Sequence, residues 1–299
     1  MRLAVLASPD SWYLNDLRRA AGSRHEVIGV AFERLTARLD ADAQQRRVQA
    51  AECDLQACDA VLVRTMPPGS LEQVVFRMDA LGTLAQAGTV VINPPRAIEA
   101  AVDKYLASAK LQSAGLATPR TWVCQSLADA LDGFRALGGD VVVKPVFGGE
   151  GRGIFRVQDE SLAWRVFSTL AQLRCVIYLQ EYIPHNGFDI RLLVLGDRVF
   201  AMRRINLDDW RTNVSRGARA EPLVPDPRLI ETARRAAAAI GAPFAGVDIL
   251  PGRNGGEFVL EVNGVPGWKA LAAALQVDVA GLLLDYIETL VSRRRSAGA

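Results

Sequence analysis

The chain has 299 residues, half of them hydrophobic, and a formal net charge of +2 at pH 7. That length allows two or three subdomains around a large core, and the near-neutral charge makes no electrostatic case for nucleic acid. No run approaches the roughly 20 apolar residues of a membrane span, and the apolar start at 2–7 is too short for a signal peptide. Cys53, Cys58, Cys124 and Cys175 have neither zinc-site nor disulfide-framework spacing, so reduced thiols in a cytoplasmic protein are expected.

Apolar strands are predicted at 3–6, 26–32, 59–64 and 89–93, with helices over 11–21 and 70–87. Strands alternating with helices indicate a parallel α/β sheet. The turns at 8–12 and 64–70 follow strands, at the carboxyl ends where such sheets bind ligands. Ser11, Trp12 and Arg64 are substrate-contact candidates there. Neither turn carries GxGxxG, which argues against a dinucleotide oxidoreductase. Asn93-Pro94-Pro95 closes a first domain, 1–95.

One helix is predicted over 95–114, with Asp103-Lys104 inside it. A strand at 120–124 and a helix at 126–137 follow, the helix opened by Ser126 with Asp129 three residues on. A β-branched strand then ends in Lys144, followed by a loop with glycines at 148, 149, 151 and 153 and by another strand. Glycines let backbone N–H groups approach phosphate oxygens closely. Without Gly-Lys-Ser/Thr, and with a strand after it, this is no P-loop. A mobile hairpin closing over phosphates fits better than a simple flexible connector. Of 35 basic residues only Lys104, Lys110, Lys144 and Lys269 are lysine. Where arginine is the default cation, a retained lysine marks a need for a compact ammonium.

Beyond a helix at 164–173 lies a strand at 176–183 containing Glu181, Tyr182 and Ile183. A hairpin at 189–195 and 198–204 turns on Gly196-Asp197. An arginine-dense loop at 210–217 and a helix at 226–241 lead to a second hairpin. Its arms are Gly-Val-Asp248-Ile-Leu and Glu-Phe-Val-Leu-Glu261-Val-Asn263. Alternation puts Phe258, Leu260 and Val262 on one face and Val259, Glu261 and Asn263 on the other. With the hairpin centred on its turn, Asp248 faces Glu261. Opposed carboxylates repel unless a cation lies between them, and two carboxylates with an amide oxygen suit Mg²⁺. A last helix spans 279–291, with arginines 293–295 as a solvated tail. His25 and His185 lack acid or serine partners and are expected on the surface or in loops.

The order of these features resembles the ATP-grasp superfamily, and within it the RimK-like glutamate ligases. That order is a helical lysine, Val-Val-Val-Lys-Pro with a glycine-rich hairpin, Gln-Glu-Tyr-Ile, Asp-Ile-Arg, Trp-Arg-Thr-Asn, Gly-Val-Asp and Glu-Val-Asn. The resemblance covers nearly the whole chain and is strongest over 103–269.

It implies an ATP-grasp fold of three parts. These are a Rossmann-like α/β domain at 1–95, an α+β lid at 96–183 and a C-terminal subdomain at 184–299, with the nucleotide between the last two. It also implies a ligase that joins an amino acid, glutamate, to a carboxylate acceptor through an acyl phosphate, with ATP and two Mg²⁺ or Mn²⁺ ions. Rival readings are a non-catalytic ATP-binding module and a ligase for another amino acid. The oligomeric state stays open.

The resemblance further assigns Lys104, Lys144, Gly148, Gly149 and Gly151 to the phosphates. Glu181, Tyr182 and Ile183 go to the adenine, partly through backbone groups, and Asp189 goes to the ribose. Asp248, Glu261 and Asn263 hold the metal. Arg211, Asn213 and an arginine of the 203–204 pair, taken as Arg204, serve the transferring phosphoryl group. Arg216 joins the substrate set. The chain departs from the protein-modifying members at 263–269, where Trp268 and Lys269 replace small and acidic residues. In that reading they stack on a ring and hold a carboxylate, as in relatives that glutamylate a pterin coenzyme.

Overall fold

The computed structural model describes residues 1–39, 46–149 and 151–298. The first part comprises β1 (Arg2–Leu6), α1 (Trp12–Ala21), β2 (Glu26–Val30), β3 (Leu35–Leu39), β4 (Arg46–Ala50), β5 (Cys53–Asp54), β6 (Ala60–Val63), α2 (Leu71–Ala87) and β7 (Val90–Ile92). A parallel sheet of order β2-β1-β6-β7 forms as expected. Its central strands are buried on both faces, which is why they read as unbroken apolar runs. The antiparallel trio β3-β4-β5 was not foreseen. A reciprocal capping box between Ser70 and Gln73 starts α2.

The second part holds α3 (Pro95–Val102), α4 (Lys104–Ser113), β8 (Thr121–Cys124), α5 (Leu127–Ala136), β9 (Val141–Lys144), β10 (Phe155–Val157), α6 (Glu160–Gln172) and β11 (Ile177–Glu181). The single helix expected over 95–114 is broken. Asp103 takes extended backbone, and its carboxylate accepts from the amides of Tyr105 and Leu106. A new N-cap at that point makes Lys104 the first residue of α4. Strands β10-β9-β11-β8 form an antiparallel sheet, with α5 and α6 packed over a core that includes Phe134, Phe167 and Leu179.

The third part holds β12 (Phe188–Leu195), β13 (Arg198–Ile205), β14 (Arg219–Leu223), α7 (Pro227–Ile240), β15 (Phe244–Pro251), β16 (Glu257–Asn263), α8 (Lys269–Leu275) and α9 (Val279–Gly298). Its five strands run β14-β13-β12-β15-β16, all antiparallel.

The cores cut across the boundaries expected from sequence. Ala97, Ala107 and Leu111 pack with Leu192, Ile240 and Val247, so α3 and α4 belong with the five-stranded sheet rather than with the lid. Leu283, Leu284 and Ile287 of α9 pack with Leu3, Val5 and Leu17 of the first domain. Helix α9 also runs through the expected tail. Arg294 donates to the Ala85 carbonyl and Arg295 pairs with Asp59, so those arginines fasten the last helix to the first domain. Among the described residues, no single helix is long and apolar enough to cross a membrane.

Candidate active site

A cavity lies between the four-stranded antiparallel sheet and the five-stranded one. Its floor is a row of charges set by strand register. Asp189 on β12 pairs with Arg204 on β13, Arg191 on β12 with Asp248 on β15, and Asp248 with Glu261 on β16. Side chains at i and i+2 share a face, so Asp189 and Arg191 both enter the row.

The ladder shifts between Asp248 and Ile249, which leaves Leu260 as the extra residue of a bulge. The simple alternation expected for β16 is therefore wrong. Val259 and Val262, placed on opposite faces by sequence, both enter the same core. Leu260 joins Glu261 in the cavity lining instead, the re-aiming that a bulge provides. The expected register of Asp248 against Glu261 holds.

Asp248 is buried and held from two sides, by Arg191 Nη1 at 2.6 Å and Arg204 Nη2 at 2.9 Å. Burial pushes its carboxyl pKa up, but the two guanidinium charges outweigh that and keep it below the usual carboxylate range. Asp189, expected at the ribose, lines the cavity and is bonded within the chain. It is buried, accepts Arg204 Nε at 2.7 Å and Nη2 at 2.5 Å, and takes the Thr212 hydroxyl at 2.6 Å. Its work in this structure is to orient Arg204. Arg203, one residue before it, points to the other face and lies over Phe188.

Lys144 reaches into the cavity and donates to Gln180 Oε1 at 2.5 Å. Burial pushes its ammonium down to about 8, against the pull of Glu261 and with the help of nearby Lys104. Lys104 is lowered for the same first reason. The glycine loop is held at two points. Lys104 Nζ donates to the Gly148 carbonyl at 2.7 Å, and Arg216 Nη2 donates to the Gly151 carbonyl at 3.2 Å. Gly151 has φ +69°, and a Cβ there would lie 2.5 Å from Asn213 Oδ1. Asn213 and Arg216 thus lie against the lid loop. Position 150 of that loop lies outside the described residues.

At the far end the cavity is walled by Tyr182, Ile183, Leu250 and Trp210. Arg156 stacks on the Tyr182 ring at 3.4 Å, and Trp210 meets that ring edge-on. The Glu181 carboxylate is turned away and clasps Arg120 Nε at 2.6 Å and the Arg120 amide at 2.8 Å. His185 is buried in the same wall, not on the surface, and burial lowers its pKa. His25 is also buried. Arg211 lines the cavity with its guanidinium clasped by Asp209.

The expected substrate group divides. Trp268 is fully buried, its indole N–H donates to Asp16, and its ring packs on Tyr13, so it offers no face to a ligand. Arg64 is buried against the touching rings of Tyr13 and Trp268, at 4.5 Å from each centroid. Lys269 lies over Trp12 at 5.3 Å, and Ser11 caps α1 without a side-chain hydrogen bond. These residues weld α1 to the segment after β16, at the carboxyl end of the first sheet. A second, larger cavity, of about 710 Å³, meets the first at Leu260 and Glu261.

A family model for the RimK-like ATP-grasp domain matches residues 101–287. The chain belongs to the RimK-like ATP-grasp family. It is similar to the tetrahydromethanopterin:alpha-L-glutamate ligase of Methanosarcina acetivorans, 34% identical over 272 residues, 81% of this chain and 84% of that one. It is 31% identical over 301 residues to a protein of Shewanella denitrificans named "Probable alpha-L-glutamate ligase 1", covering 99% of this chain and all of that one. Among solved structures, the ATP-grasp ligase PsnB complexed with minimal precursor, Mg, and ADP gives a TM-score of 0.75 at 23% identity, covering 97% of each chain. That likeness establishes the fold. This RimK-like protein is an ATP-grasp ligase that forms carbon–nitrogen bonds.

Sequence reasoning passed over Arg191, Gln180 and Thr212 as members of this site. Arg191 was within reach, because it lies two residues from Asp189 on a strand already identified. Gln180 and Thr212 stood inside motifs already quoted, Gln-Glu-Tyr-Ile and Trp-Arg-Thr-Asn, but their roles come from partners distant in sequence, Lys144 and Asp189.

Proposed function

We infer that this ligase phosphorylates the carboxylate of an acceptor with ATP and then joins it to the amine of L-glutamate. The carboxylate oxygen attacks the γ-phosphorus, the bond from that phosphorus to the ADP oxygen breaks, and an acyl phosphate forms. The amine then attacks the acyl carbon, loses a proton and expels phosphate. The observation that carries the reading is one cavity lined by Lys144, Glu261, Asp248 and Arg204, with Asn213 of the same lining set against Gly151 of the glycine-rich loop. Phosphoryl transfer asks a protein for positioning and charge neutralisation more than for covalent chemistry. The glutamate preference rests on the names of the two relatives.

Each group has work in this scheme. Lys144 meets the phosphate oxygens, and its lowered pKa marks a charge that lacks a full partner until an anion arrives. Lys104 exchanges the Gly148 carbonyl for phosphate as the loop amides close. Arg204, aimed by Asp189, faces the transferring group, with Arg211 and Asn213 at the loop side. The backbone at Glu181, Tyr182 and Ile183 reads the base. Closure of the loop keeps water from the acyl phosphate.

Asp248, Glu261 and Asn263 fit a divalent ion. Glu261 has no hydrogen bond or ion pair among the described residues, and a carboxylate bound to two donors, like Asp248, keeps lone pairs to spare. Among the described residues, Asn263 Oδ1 accepts only the Val265 amide. The donors are all oxygen, which suits Mg²⁺ or Mn²⁺, and a pair of ions would supply countercharge to the phosphates.

The test is ADP release from ATP with Mg²⁺, L-glutamate and a panel of carboxylic acids, set beside D-alanine and L-lysine as amines. ADP formation that needs both an acid and L-glutamate is expected. Release that ignores the amine, or that favours another amino acid, overturns the glutamate assignment.

A further inference from the structure

The two cavities that meet at Glu261 are built from different chemistry. The first is lined by cations and carboxylates. Among the described residues, the second is lined by Lys104 and Glu261 as its only charged groups, with no arginine or histidine. Its walls are Met66, Pro67 and Val74 on one side and Ile98, Val102 and Leu111 on the other. The walls are fixed before any ligand arrives. Buried Arg77 donates to the Pro67 carbonyl at 2.7 Å, and the Ser70–Gln73 capping box sets the start of α2. Ser108 in the lining is already bonded to the Tyr178 hydroxyl.

Lining residues Leu71 and Phe147 leave large apolar side chains in water, 79% and 66% exposed. One opens α2 and the other belongs to the lid loop. An apolar body lying between them would cover both, and removing such surface from water is favourable. A compact dicarboxylate would instead bring a second charge into walls that offer it no partner.

We propose that the acid phosphorylated by this ligase has a bulky, uncharged, largely apolar body seated in the second cavity, with its carboxylate at the Lys104–Asn263 end facing the nucleotide. The assignment rests on the ligase reading and adds the class of acceptor. The amino acid then arrives at the junction from outside this cavity. Phe147 ties acceptor occupancy to closure of the loop that covers the phosphates.

Hydroxylamine, which takes the place of the amine and traps an acyl phosphate as a hydroxamate, tests the acid alone. Naphthylacetate and branched-chain alkanoates are compared with glutarate and L-glutamate as the acid, with ATP and Mg²⁺ present. The expected preference for naphthylacetate over glutarate is about 100-fold in kcat/KM, the scale of one buried aromatic group. Leu71→Arg, at an exposed position, should lower kcat/KM for naphthylacetate about tenfold and leave the KM for ATP unchanged. Leu71→Met should restore it. Calorimetry with naphthylacetate and ADP–Mg²⁺ reads binding without turnover. Faster hydroxamate formation from glutarate, or no naphthylacetate binding, overturns the proposal and spares the ligase reading. Naphthylacetate binding that Leu71→Arg weakens, with no hydroxamate from any acid, keeps the cavity assignment and sinks the ligase reading.

Discussion

Asp248→Asn and Glu261→Gln should both abolish ADP formation, yet only the first should weaken the fold. Asp248 belongs to a buried, internally neutral group: two aspartates, Asp189 and Asp248, and two arginines, Arg191 and Arg204. Removing one carboxylate leaves an uncompensated guanidinium charge inside, a loss of about 3–5 kcal/mol. At about 2.1 cal/mol/K of unfolding entropy per residue, a chain of this length has an entropy of unfolding near 0.6 kcal/mol/K, so the Tm should fall by about 5–8 °C. Glu261 has no ion pair or hydrogen bond among the described residues, and its neutral isostere should melt within about 1 °C of the parent. Thermal melts without nucleotide, run beside ADP release, separate the two roles. Arg191→Met added to Asp248→Asn returns the group to neutrality and should recover part of the lost stability. Equal melting of Asp248→Asn and the parent would refute the claim that this row is a buried charge lattice.

Lys144 titrates near 8 in the free protein instead of 10.5, so between those values the unfolded chain holds a proton that the folded chain has released. Stability from this group therefore rises with pH across that window, and phosphate binding should reverse the release. Calorimetry near pH 9 in two buffers of different ionisation heat should show proton uptake on ATP binding; Lys144→Met should lose it, and equal heats in both buffers would count against the assignment. Gly151→Ala forces a side chain into left-handed backbone 2.5 Å from Asn213 Oδ1, so kcat should fall at least tenfold, on the order of a lost lid contact, while the Tm hardly moves. Asp103→Ala removes the cap of α4, which should cost about 1 kcal/mol and raise the KM for ATP as Lys104 loses its fixed position; an unchanged KM would argue against that coupling.

The layout of the fold was largely legible, and its failures have physical causes. Strand β6, and β1 beyond Arg2, are apolar because both faces are covered, and such runs are hard to misread. The break at Asp103 hid because no glycine or proline marks it. The carboxylate caps α4 from within a stretch that looks continuously helical. The trio β3-β4-β5 hid because its strands are short and carry arginines, as at Arg38 and Arg47. The arginine run at the C-terminus resembled a solvated tail, but its partners, Ala85 and Asp59, lie more than 200 residues away in sequence. Sequence patterns report which face a segment buries and stay silent on which distant element it meets.

The site shows the same division more sharply. Placing Asp248 opposite Glu261 needed only the turn between them. Bringing Leu260 into the cavity beside Glu261 needed the bulge, and the alternation of Phe258, Leu260 and Val262 was self-consistent without it. Only the pairing partner decides how many residues of one strand oppose the other. Trp268 misled for a related reason. An aromatic beside a lysine near a metal motif has the look of a ligand platform. Gly267 before it lets the chain close on Tyr13, since a Cβ there would lie 2.5 Å from the phenol oxygen, and the indole is driven onto Arg64 instead. Apolar surface facing a ligand therefore had to come from elsewhere. It comes from Leu71 and Phe147, which drew no notice in the sequence because an exposed leucine or phenylalanine acquires meaning only when a cavity opens beside it.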